Sequence, residues 1–171
     1  MGKIKKAYCY FFYKLHKHYE NSSQPWLSNW KAGASIGVLE IWLLLSIGNY
    51  FLITTDKTIH LNLLQPIVIV PVTIVFIFNY LSFDYKDTWK KYNKEFDQLS
   101  KDQNKKGGVI VWSIIIIIIT NMIFSYYLLF RKAKINHTGP YSKEFIEQQK
   151  IKDSIDHANY IKEMQNIRDG K

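Results

Sequence analysis

A run of 22 residues, GASIGVLEIWLLLSIGNYFLIT over Gly33–Thr54, carries a single formal charge. A bilayer core of roughly 30 Å needs about 20 mostly apolar residues at 1.5 Å each. The run is long enough to cross a membrane as one helix. Two more follow, Pro66–Phe83 and Val109–Phe130. The last contains six successive isoleucines, Ile114–Ile119. A helix that is apolar on every side has no face to offer water and suits lipid. The three runs predict an all-α chain: a three-span transmembrane helix bundle over 33–54, 66–83 and 109–130.

Composition alone would hide this. Mean hydropathy is only −0.15, because the apolar runs alternate with strongly polar segments. Net charge is +9. The basic residues flank the apolar runs on both sides, which points to anionic lipid headgroups rather than nucleic acid. The one cysteine, Cys9, excludes an internal disulfide and a multi-cysteine metal site. No phosphate loop, HExxH or Gly-x-Ser-x-Gly pattern occurs, so no cofactor, metal or catalytic residue is assigned and no enzyme is expected. The first apolar run starts after about 30 residues, too late for a secretory leader.

The polar segments have their own periodicity. Over 3–20, Ile4, Tyr8, Phe11, Leu15 and Tyr19 recur every three or four residues among lysines. This predicts an amphipathic helix that lies on an anionic leaflet or packs against the protein itself. His16 and His18 fall on different faces of it, which disfavours a shared metal. Ser23 can cap a new helix with Pro25 in its first turn, so the first span is expected to begin near Pro25. Trp26, Trp30, Trp112, Tyr126 and Tyr127 are predicted interfacial anchors. Beyond Phe83, residues Tyr85, Trp89, Tyr92, Phe96 and Leu99 form a heptad-like stripe. The second helix is therefore expected to continue over 84–99 as a cytoplasmic extension, its aromatic face covered by the N-terminal helix or by the membrane surface. Gly107–Gly108 reads as a turn. After Gly139–Pro140 a tail helix is expected over 142–168, with no single apolar face.

Glu40 is the residue hardest to explain by packing. An acid in a span costs roughly 2.5–3.5 kcal/mol on insertion scales, so it should face protein or water, or be protonated. It either hydrogen-bonds a neighbouring helix or forms a proton or cation site. The first is preferred, since no second acid or base lies in any span. Gly33, Gly37 and Gly48 share its face, and the GxxxG pair Gly33–Gly37 would let another helix approach. Depth along the spans groups Glu40 with Asn79 and Ser113 in one polar layer, and Thr73 with Thr120 and Asn121 in a deeper one. Such groups bond across helices for about 0.6–2 kcal/mol each.

Charge sets the expected orientation. Residues 1–31 hold six lysines and 84–108 seven, against one basic residue in 55–65 and five in 131–150. The positive-inside bias puts the N-terminus in the cytoplasm and the C-terminus outside, in a cell inner membrane. Over 3–132 the plan resembles a loose class of small bacterial three-span membrane proteins. The likeness lies in a basic aromatic N-terminus, two apolar runs, a Lys-rich link ending in KKGG and an Ile-rich third run. That class implies no activity. Two functions are expected from the residues. One is a non-enzymatic scaffold or subunit, with a homo-oligomer or another protein as partner. The other is an oligomeric channel or carrier subunit that uses Glu40.

Overall fold

The computed structural model describes residues 2–55 and 65–168. The connection expected over 55–65 falls almost wholly outside them. Every regular element among the described residues is helical. The chain divides into two compact units, split between Tyr126 and Tyr127.

The first unit is organised around α1, Lys3–Glu20. The chain then turns through Pro25 and Leu27, whose left-handed φ of 58° delays the start of α2 to Ser28. That is three residues later than the Pro25 start expected from sequence. Helix α2 runs Ser28–Thr55 and α3 runs Pro66–Asn79. Pro66 sits at the start of α3, where a missing N–H costs nothing. Pro71 lies inside it.

The second span does not continue as one extended helix. A π turn over Tyr80–Asp84 and a 3-10 turn over Tyr85–Asp87 follow α3. Lys86 and Asp87 are both left-handed, at φ 56° and 53°. A helix cannot pass two such residues. The chain therefore redirects before α4, Thr88–Phe96. This break lets the aromatic stripe fold back onto α1. Tyr92 and Phe96 bury with Cys9 and Tyr13 in one cluster, with Tyr10 and Leu99 at its edge. Phe12, Leu15, Ala32, Ile36 and Phe83 form a second cluster, flanked by Trp89 and Ile115. Tyr85, the first residue of the stripe, stays exposed.

Helix α1 is thus covered by its own chain, the second of the two placements open to it. Its buried side is also wider than the stripe. Cys9, Phe12, Tyr13 and His16 are buried, while Ile4 is 86% exposed.

Helix α5 runs Lys101–Ile135. Gly107 and Gly108 do not form a turn; both lie inside α5. A Cβ on Gly107 would fall 2.3 Å from the Tyr10 hydroxyl, and one on Gly108 would fall 3.1 Å from the Lys14 side chain. The two glycines are where α1 comes close to α5.

The starts of α2 and α5 and the end of α3 converge on α1. Three helical stretches, Ser28–Thr55, Val68–Phe96 and Lys101–Tyr141, are long and apolar enough to cross a membrane. Within their most apolar windows only 22%, 11% and 6% of residues are buried by the protein. Most of that apolar surface is left uncovered by the described residues.

The second unit holds the end of α5, a 3-10 turn at Gly139–Tyr141 and α6, Lys143–Arg168. No residue of α6 is buried.

Candidate functional site

The face of α2 that carries Gly33, Gly37 and Glu40 points at two neighbours. A Cβ on Gly33 would sit 3.9 Å from Phe12 of α1, and one on Gly37 would sit 3.9 Å from Val75 of α3. The glycines bring both helices against α2. Glu40, next along that face, is held where α1 and α3 meet.

There it is bonded on both oxygens. The Tyr8 hydroxyl donates to Glu40 Oε1 at 2.7 Å. Asn79 Nδ2 donates to Glu40 Oε2 at 2.6 Å and to the Val75 carbonyl at 2.9 Å. The Tyr8 hydroxyl also lies 3.2 Å from Asn79 Oδ1. Tyr8 is fixed by stacking on Phe83, with ring centroids 4.9 Å apart, and by a tilted contact with Phe78. Burial, reinforced by the bonded Glu40 carboxyl, pushes the Tyr8 phenol far above its ordinary range. Tyr8 therefore stays a neutral hydroxyl at any physiological pH.

The sequence paired Glu40 with Asn79 and missed Tyr8. The tyrosine was visible only as one member of a periodic stripe on a separate helix. Nothing in the spacing says that α1 tucks under the ends of the spans. Ser113 is not part of the layer. Asn49 bonds Ser125, 76 positions on, at 3.1 Å. That register sets Ser113 level with Gly37 rather than with Glu40, and its side chain is exposed.

The deeper layer differs from the expected one too. Asn121 takes part, accepting from the Tyr50 hydroxyl at 2.9 Å. Its companions are Asn49 and Ser125 of α2 and α5, with Ser46 3.7 Å from the Met122 sulfur. Thr73 and Thr120 face outward and are exposed. Gly48 is not a contact point, since a Cβ there would meet nothing within 4 Å. The two layers tie α2 to both other spans: Glu40 to α3, Asn49 and Tyr50 to α5.

A third polar group lies in the α1–α4 head. His16 is 5% exposed. Its Nε2 lies 3.2 Å from Ser28 Oγ and its Nδ1 lies 3.2 Å from Asn93 Nδ2. Its ring stacks on Phe12 and tilts against Trp89. Burial holds the His16 imidazole below its ordinary 6.5, with Lys17 adding to the effect and Glu20 and Asp97 opposing it. His18 points elsewhere, edge-on to Trp112 at 5.2 Å. Among the described residues no three His, Cys, Asp or Glu side chains gather as a metal site. Lys17 bridges Glu20 and Asp97, Lys6 pairs with Glu95, and Tyr13 donates to Asp97. These contacts clamp α1 to α4.

The anchor residues behave individually. Trp26 and Trp30 are 66% and 68% exposed at the start of α2, with Lys31 over the Trp26 ring. Trp112 is half-exposed beside His18, and Tyr127 is exposed while Tyr126 is partly covered.

The arrangement suits holding helices together and holding one carboxyl in a bonded pocket. Comparison with protein-family models, curated proteins and solved structures finds no match to this chain.

Proposed function

We propose that this is an integral membrane protein that acts as a non-enzymatic scaffold or subunit of a membrane complex. In this reading the α1–α4 head lies on the cytoplasmic side and the C-terminal tail outside. The lysine bias supports that orientation. Lys3, Lys5, Lys91, Lys105 and Lys106 meet anionic headgroups there, and Trp26 and Trp30 sit at the boundary.

The observation that carries the scaffold reading is α6. It spends 26 residues on a helix that buries nothing of its own. It nevertheless exposes Ile151, Ile155, Tyr160, Met164 and Ile167. These exposed apolar side chains, on a helix that buries none of its own residues, are the surface offered to a partner. The aromatic stripe of α4 is used up inside the chain, which leaves α6 as the element to meet a protein partner. The channel reading has less support. Glu40 is bonded on both oxygens by its own chain, which leaves no free carboxylate edge to line a pore.

Two measurements test this. Alkaline carbonate washing of membranes should leave the protein in the pellet; release would sink the membrane reading. Native-detergent pull-down of wild type should recover a partner that is lost with Ile151→Asp/Ile155→Asp. An unchanged, partner-free monomer in both would sink the scaffold reading. Ion flux in liposomes that vanishes with Glu40→Gln would favour the channel instead.

A further inference from the structure

The Tyr8–Glu40–Asn79 cluster has one more geometric property. Its hydrogen bonds can be completed in two ways without moving a heavy atom. With Glu40 ionised, the Tyr8 O–H points to Oε1 and the Asn79 N–H to Oε2, at 2.7 and 2.6 Å. With a proton on Oε1, the new O–H donates to Tyr8 Oη across the same 2.7 Å. The Tyr8 O–H then rotates to Asn79 Oδ1, already 3.2 Å away. Asn79 Nδ2 keeps both its bonds, to Oε2 and to the Val75 carbonyl. One proton is gained on Oε1 and nothing leaves. In both states each polar hydrogen has an acceptor. A carboxyl placed only to tie helices together needs no second acceptor behind its donor; Asn79 Oδ1 supplies one.

We propose that Tyr8, Glu40 and Asn79 form a proton-binding site in which Glu40 takes up and releases a proton while the three helices stay docked. The ligand is a proton. The Tyr8 oxygen lies 2.7 Å from Glu40 and 3.2 Å from Asn79, the separations of hydrogen bonds.

The surroundings leave the proton few competitors. From α3 and the π turn, Phe78, Asn79, Val75 and Phe83 face the site, and none titrates. From α1 the facing titratable group is Tyr8, with Lys5 and Cys9 on the adjoining turn. Uptake therefore changes the charge of the first span from −1 to 0 at one residue. The proposal rests on the membrane reading only for the dryness of the site, and its test is made in detergent. Failure of carbonate retention would count against the membrane reading alone.

The test is infrared difference spectroscopy of the full-length protein across the acid range, in detergent, against Glu40→Gln and Tyr8→Phe. Wild type should gain a carboxylic C=O band on acidification that is lost in Glu40→Gln. In Tyr8→Phe, which keeps the ring on Phe83, the band should move to higher wavenumber and its midpoint should shift. The midpoint should not depend on sodium concentration. A wild-type spectrum identical to that of Glu40→Gln overturns the proposal. So does a band unchanged in Tyr8→Phe, or a midpoint that falls as sodium rises, which would mark a cation site. If Glu40→Gln loses its helical circular dichroism, the Tyr8→Phe comparison decides by itself.

Discussion

At the scale of single residues, two glycines in similar helical settings should respond in opposite ways to the same change. Ala is favoured over Gly in a helix by up to about 1 kcal/mol. At Gly48 the added methyl meets nothing, so Gly48→Ala should be neutral or stabilising by up to about 1 kcal/mol. At Gly107 it would collide with the Tyr10 ring end at 2.3–2.6 Å. That displaces a hydroxyl bonded to Asn104 and overpacks the contact, which costs about 1–3 kcal/mol. Gly107→Ala should therefore be destabilising by about 1 kcal/mol net. Thermal unfolding of both variants in detergent checks the pair. In the Glu40 cluster, Asn79→Ala removes one of the two donors on the carboxyl and should cost about 1–3 kcal/mol. The same measurement reads it.

At the scale of elements, the break between α3 and α4 stores backbone strain. Lys86 at φ 56° pays a penalty that glycine would not. Lys86→Gly should raise stability by about 0.5–1 kcal/mol, less a small loss from its contact over Tyr85 at 5.2 Å. A drop in melting temperature would contradict this. The α1–α4 docking should also weaken in acid. Burial depresses the His16 pKa in the folded head. Its contribution is complete above about pH 7.5, where the imidazole is neutral both folded and unfolded. As pH falls through the folded pKa, the unfolded chain has already taken a proton that the folded head resists, and that stability is lost. Between about pH 7.5 and about pH 5.5 the melting temperature should fall. His16→Gln should flatten the dependence, and an identical slope in that variant would refute the assignment.

At the scale of the whole molecule, stability and partner binding should separate. The α6 helix buries nothing, so Ile151→Asp/Ile155→Asp should leave unfolding stability within about 0.5 kcal/mol of wild type. A large loss would mean that α6 has a covered face. Much of this organisation was legible in the chain. Three apolar runs of membrane-spanning length point to three helices, and three helical stretches long and apolar enough to cross a membrane are what form. The pairing of Glu40 with Asn79 was legible from depth alone.

The rest depended on contacts between segments far apart in sequence. Periodicity reports which residues share a face but not what covers it. The stripe on α4 therefore left α1 and the membrane surface both open as its cover, and Tyr8 on α1 could not announce that it bonds Glu40 32 positions away. Ser113 and Gly107–Gly108 were misplaced for the same reason. Register between α2 and α5 is set by Asn49–Ser125, and the glycines are needed only because Tyr10 approaches. By itself the sequence determined the helices and that three of them are long and apolar enough to cross a membrane, since both follow from local length and apolarity. Only the tertiary structure decided how α1 locks the ends of the spans and closes a hydrogen-bonded pocket on Glu40, because both depend on long-range packing at distances of a few ångströms.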